Sequence, residues 1–226
     1  MSMKHPATVP LTLSMIKICE IYKSIQGESS RAGMPCTFVR LSGCNLSCSY
    51  CDTQYALQGG TDYSVDDIIE KVEGFGCSLV EVTGGEPLLQ DETPLLCRKL
   101  LSIGFMVLVE TNGSLNISIL PQDCIVIMDI KCPGSGSADS LFLDNIDNLG
   151  KYDECKMVIS GRDDFDWALQ FLYDHTLHKK CSVIFSPNTK KVSPKQLATW
   201  ILEADAPVRL GLQLHKIIWG EGVRGV

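Results

Sequence analysis

The stretch Thr37-Phe-Val-Arg-Leu-Ser-Gly-Cys44-Asn-Leu-Ser-Cys48-Ser-Tyr-Cys51-Asp-Thr53 decides how this chain is read. Its first part, Thr37–Leu41, has the β-branched and aromatic make-up of a strand. The strand runs straight into a loop with three cysteines in eight positions. Outward from there, strands and helices alternate. Ser64-Val-Asp-Asp67 is a capping box, opening a helix with apolar Val65, Ile68, Ile69 and Val72. Strand Leu79–Thr83 follows, then a helix around Pro94–Ser102 closed by Gly104. Phe105–Glu110, Cys124–Ile130 and Lys156–Ser160 are further β runs, and Phe165, Leu169 and Leu172 give Asp163–Tyr173 helical spacing. Val183–Ser186 is a strand. Ser193-Pro194 sets a cap and an N1 proline on a helix through Leu202, and Val208–Gln213 reads as a last strand. Upstream, Ile16–Lys23 is a first strand.

This order predicts an α/β fold with a parallel sheet and crossover helices. Residues 1–15 hold too weak an apolar block for a signal peptide and read as a disordered leader, with 16–226 as a single domain. Ligands of such sheets sit beyond the carboxyl ends of the strands. The unusual residues follow those ends: the cysteine loop, Gly84-Gly85-Glu86-Pro87, Thr111-Asn112-Gly113 and Lys131-Cys132-Pro133.

The net charge of −7 argues against a duplex nucleic-acid binder, and no apolar run approaches the roughly 20 residues of a membrane helix. Eleven cysteines in 226 residues form no evenly spaced disulfide framework. Cys19, Cys124, Cys155 and Cys181 lie in or beside apolar runs as small hydrophobes, and free thiols in such number point to a reducing cytoplasm.

Cys44, Cys48 and Cys51 can hold a 4Fe-4S cluster by three thiolates, leaving one iron open to an outside ligand. A structural zinc site wants four ligands, usually as two separated pairs, and no second CxxC exists; Cys36 sits eight residues upstream at a strand start. A non-enzymatic cluster carrier would likewise want four ligands and have no use for Gly-Gly-Glu-Pro.

Cx3CxxC followed by Gly-Gly-Glu-Pro resembles the radical S-adenosylmethionine superfamily. Within it, Ile25-Gln-Gly-Glu28, Phe38-Val-Arg-Leu-Ser-Gly-Cys44, Cys51-Asp-Thr53 and Thr83-Gly-Gly-Glu-Pro87 together resemble the 7-carboxy-7-deazaguanine synthase family, from about Ile16 to the C-terminus. The resemblance implies an incomplete (β/α) barrel with about six parallel strands and a reduced helix set. It implies that S-adenosylmethionine chelates the open iron and contacts Tyr50, Cys51, Asp52, Gly85, Glu86, Asn112, Asp129, Ile130 and Lys131. Thr53 would hold a magnesium ion. A carboxylated tetrahydropterin would meet Ile25, Gln26, Gly27, Arg40, Thr83, His215 and Val226, with a bidentate guanidinium suited to its carboxylate. Where relatives carry Gly after Gln-Gly-Glu, this chain has Ser29. The implied reaction forms 7-carboxy-7-deazaguanine on the route to queuosine, with an electron donor such as flavodoxin or ferredoxin, in a homodimer that touches neither nucleic acid nor membrane. The alternative is an activating protein for a glycyl-radical enzyme, which shares Cx3CxxC and the small size.

Overall fold

The computed structural model describes residues 15–226, so positions 1–14 of the expected leader lie outside it. One nine-stranded sheet runs through the chain. Its strands are β1 (Met15–Ile25), β2 (Pro35–Leu41), β3 (Thr61–Ser64), β4 (Leu79–Gly84), β5 (Met106–Thr111), β6 (Ile125–Ile130), β7 (Glu154–Ile159), β8 (Ser182–Pro187) and β9 (Arg209–Leu210). The helices are α1 (Val65–Gly74), α2 (Thr93–Ser102), α3 (Asn145–Asn148), α4 (Arg162–Asp174), α5 (Leu177–Lys180), α6 (Pro194–Glu203) and α7 (Leu214–Trp219). The spatial order is β3-β1-β2-β4-β5-β6-β7-β8-β9.

From β2 to β9 every pairing is parallel. This is the expected incomplete barrel, with six full strands and a two-residue seventh. The first strand departs from the parallel expectation: β1 pairs antiparallel with both β2 and β3. The expected strand over 208–213 shrinks to β9. A Cβ on Gly211 would lie 2.4 Å from the Ser186 hydroxyl, so the chain there presses on β8, and α7 begins three residues later.

Each strand of the parallel set has two distinct faces, because side chains alternate. Val39, Val82, Val109, Met128, Met157 and Phe185 pack under the helices with Ile68, Leu96, Leu100, Phe165, Leu172 and Leu197. Burying each large side chain in this layer contributes about 1.5–3 kcal/mol. The inner face starts apolar, with Cys36, Phe38, Leu79, Leu108 and Ile127. Toward the strands' carboxyl ends the same parity turns polar: Arg40, Glu81, Thr83, Glu110, Asp129 and Lys156.

A β-bulge at Cys19 changes the phase of β1. Ile18 pairs with Leu41 and Glu20 with Arg40, leaving one residue extra. Ile16 and Ile18 therefore join the helix-side core, while Glu20 and Tyr22 turn to the inner face, where Tyr22 stacks on Phe38. An unbroken strand would keep all four on one side.

Candidate active site

The cysteine loop leaves β2 and is fastened on every side. Gly43 N donates to Ala56 O (2.8 Å), Glu86 N to Gly43 O (2.8 Å), and Ser49 N to Ser135 O (3.0 Å). The glycines after β4 exist for this packing. A Cβ on Gly85 would lie 2.1 Å from Gly43 O and 2.7 Å from Cys44 Cβ, and one on Gly84, where φ is +155°, 2.3 Å from Leu41 O. Glu86 is fully buried and serves as a strut: its carboxylate accepts from Leu88 N (2.9 Å), Thr111 Oγ1 (2.8 Å) and Asn112 N (2.7 Å). Contact between this turn and a ligand is left to its backbone.

All three thiols of the loop are half-buried. Cys44 Sγ meets Leu46 N at 3.5 Å and Asn112 Nδ2 at 3.8 Å, and Cys48 Sγ lies 3.8 Å from Ser137 Oγ. Hydrogen bonds to thiolate sulfur are among the levers that tune an iron–sulfur cluster. Beside the loop, the buried Tyr50 hydroxyl and Asp129 Oδ1 have no partner among the described residues. Buried polar atoms of this kind are rare without a bound group to satisfy them. The soft donor set and these two orphaned oxygens fit a cluster with a polar cofactor beside it.

Asp129 Oδ2 pairs with Lys131 (2.9 Å) and Lys156 (3.4 Å). Lys156 also binds Glu28 (2.9 Å) and Glu110, so one buried ammonium joins three carboxylates. Burial works against that charge, but the carboxylates of Glu110, Glu28 and Asp129 hold it well above the ordinary lysine range. Burial likewise resists ionisation of Glu28, yet Lys156 draws it down to about 2. Ile130 points its side chain into the helix-side core, so a ligand meets only its backbone.

Gln26 spends most of its side-chain amide within the protein. Its Oε1 accepts from Glu28 N (2.8 Å) and Ser29 N (2.9 Å), and its Nε2 donates to buried Glu81 (2.9 Å). The amide shapes its own loop and leaves one N–H for a ligand. Gly27 and His215 do come together: a Cβ on Gly27 would fall 2.6 Å from His215 Nδ1, and Leu214 N donates to Gly27 O (3.1 Å). Thr83 Oγ1 donates to Glu110 Oε2 (3.4 Å). Arg40 donates from Nε to Glu20 Oε1 (2.8 Å) and from Nη2 to the Tyr22 hydroxyl (3.0 Å). Thr53 donates to Asp52 Oδ1 (3.2 Å), and Asp52 Oδ2 pairs with Lys216 (2.8 Å), which also binds Gln213. Val226 ends half-buried.

Lys156 and Glu81 escaped the sequence reading, and Glu28 and Glu110 entered it only as members of motifs, without this ion-pair role. Their signal was a charge at the inner parity of an otherwise apolar strand, or beside the expected Ile25–Gly27 loop.

A three-thiol loop at the mouth of an incomplete parallel barrel, with Gly-Gly-Glu-Pro packed against it, defines the class: this is a radical S-adenosylmethionine enzyme. The family model of the radical SAM superfamily matches residues 38–123. The chain is 45% identical over 226 residues to the 7-carboxy-7-deazaguanine synthase of Koribacter versatilis, covering 93% of this chain and all of that one. Identity to the enzyme of that name from Chlorobaculum tepidum is 43%, over 95% and 99% of the two chains. In fold it is similar to the crystal structure of QueE from Escherichia coli, with a TM-score of 0.74 over 92% of this chain and 99% of that one, at 22% identity. The chain belongs to the 7-carboxy-7-deazaguanine synthase family. The glycyl-radical activating protein is thereby not favoured.

Proposed function

We propose that the chain converts 6-carboxy-5,6,7,8-tetrahydropterin to 7-carboxy-7-deazaguanine with loss of ammonia, on the route to queuosine. The observation that carries this reading is the arrangement on one rim. The three-thiol loop, the orphaned Tyr50 and Asp129 oxygens and the charged inner face lie together in a chain akin to a named synthase over 93% of its length.

Cys44, Cys48 and Cys51 would hold the cluster, and Tyr50, Asp52, Asn112, Asp129, Lys131 and the backbone of Gly85, Glu86 and Ile130 would seat S-adenosylmethionine. When bound, the cluster and S-adenosylmethionine would supply one-electron, hydrogen-abstracting radical chemistry. The chain's own residues bind and orient. Arg40 offers the substrate carboxylate a fixed cation, with Glu20 and Tyr22 holding its fork. The Ile25–Gly27 backbone and His215 line one side of the pterin, Thr83 faces it, and Val226 stands at the open side. Lys156 ties the carboxylates of Glu28, Glu110 and Asp129 together, so the pocket floor is held by ion pairs. Thr53 supplies one oxygen to magnesium, an ion that takes few protein ligands and fills the rest with water and substrate.

Free thiols throughout support a cytoplasmic setting. Ile217, Ile218 and Trp219, exposed on α7, support a homodimer. A one-electron donor such as flavodoxin or ferredoxin serves the cluster. No helix among the described residues is long and apolar enough to cross a membrane. The test is an anaerobic assay of reconstituted protein with S-adenosylmethionine and the carboxypterin, with and without magnesium. The expected result is deazaguanine formation that magnesium stimulates. Release of 5′-deoxyadenosine with the pterin unchanged would overturn the substrate assignment.

A further inference from the structure

We propose that Tyr55 is a positioning residue that couples the C-terminal tail to Arg40, so that the substrate-anchoring guanidinium and the tail are set together. The inference rests on the reading of Arg40 as that anchor.

Tyr55 acts through both its ends. Its hydroxyl donates to Glu20 Oε1 at 2.8 Å, and the same oxygen accepts from Arg40 Nε at 2.8 Å. With Nη2 on Tyr22, two of the three guanidinium nitrogens are committed, and among the described residues nothing meets Nη1. The ring face lies against the guanidinium of Arg224, whose Cζ is 3.9 Å from the ring centroid. A cation over an aromatic face at this range is attracted by the ring quadrupole.

The ring itself is held still. Tyr55 is in a short turn, Gln54–Ala56, whose Ala56 is fully buried. Ala56 O accepts from Gly43 N (2.8 Å) and Ala56 N donates to Thr53 O (2.9 Å), pinning the turn to the start of the cysteine loop. The tail has no such frame. Beyond α7, residues 220–225 are exposed, and Gly220, Gly222 and Gly225 adopt positive φ. Chain ends without a tether fray. Thr189 Oγ1 donates to Glu221 Oε1 (3.4 Å) nearer α7, and beyond that point the stacking of Arg224 on Tyr55 tethers the tail. Glu20 reaches this network only because the bulge at Cys19 turns it inward.

The test separates the two ends of the ring. Tyr55→Phe keeps the face and loses the hydroxyl; Tyr55→Leu loses both; Arg224→Gln removes the cation. Hydrogen–deuterium exchange of residues 220–226 in the cluster-free protein reads the tail without any turnover. Exchange there is expected to quicken about two- to fivefold in Tyr55→Leu and Arg224→Gln, the weight of an exposed cation–π contact, and to stay at the parent rate in Tyr55→Phe. In the assay, Tyr55→Phe is expected to raise KM for the carboxypterin severalfold with kcat nearly kept, since it loosens Arg40 and leaves the chemistry alone. Tail exchange at the parent rate in Tyr55→Leu, or a parental KM in Tyr55→Phe, overturns the coupling. A parent protein that leaves the pterin unchanged overturns the substrate reading instead, and with it the Arg40 half; the tail measurement still decides the stacking.

Discussion

A carboxyl group in the middle of a buried strand has to find a cation or keep its proton. Glu81, 2% exposed, finds no cation, because Lys156 serves Glu28, Glu110 and Asp129. Burial, then the nearby carboxylate of Glu110, push its pKa up to about 8, against the amide of Gln26. Tyr22, Cys36 and Glu28 are the other titratable groups around it, none of them a cation at neutral pH. In the unfolded chain the group ionises near pH 4.3, roughly. Its contribution to folding is therefore complete below that pH and is lost as pH rises toward and through 8. Glu81→Gln keeps a neutral side chain throughout. Its melting temperature relative to the parent is expected to climb by a few degrees between mildly acid and mildly alkaline buffer. Calorimetric melts across that range check this, and a constant difference would sink it. Glu28 works in the opposite sense: its carboxylate, drawn to about 2 by Lys156, contributes above its unfolded pKa and fails as pH falls toward 2.

At the scale of elements, the turn after β4 is a spacer between two loops. Gly85→Ala would drive a methyl into the Gly43 carbonyl and Cys44 Cβ, both rigid neighbours. Reconstituted Gly85→Ala is expected to carry much less iron and sulfide per chain than the parent. Gly104→Ala, at φ +96° with open space, should load normally and cost only about 1–2 kcal/mol of stability. Equal iron in the two variants would count against the spacer role. The cysteine loop, the turn after β4 and strands β4 to β8 were all legible in the sequence, because chemistry or alternating burial is written into consecutive residues. The direction of β1 was not: its own pattern suits either pairing, and the choice lies in contacts with β2 and β3. Nor was the phase change at Cys19, since a bulge leaves no mark in composition. Gln26 and Glu86 were expected as site residues and not as internal struts, because what a polar side chain bonds depends on the fold around it. The two-residue β9 shows the same limit, its apolar run cut short by the close approach of Gly211 to β8.

Taken whole, the molecule sorts its eleven cysteines by depth. Seven are buried, and Cys19, Cys44, Cys48 and Cys51 are partly accessible. Burial raises the thiol pKa of Cys36 and Cys132, and contact with Cys124 together with burial raises that of Cys97. Brief maleimide treatment of the native cluster-free protein is expected to label the four accessible cysteines, loading with iron and sulfide to leave Cys19 alone, and denaturant to release the rest. Rapid labelling of Cys97 or Cys155 in the native protein would refute the sorting. Because Cys44, Cys48 and Cys51 are the partly accessible thiols that sit together in one loop, a protein this rich in sulfur still presents an iron donor with a single address. Misloading is then a hazard of the half-folded chain, so the order of events in the cell matters: fold first, metallate second.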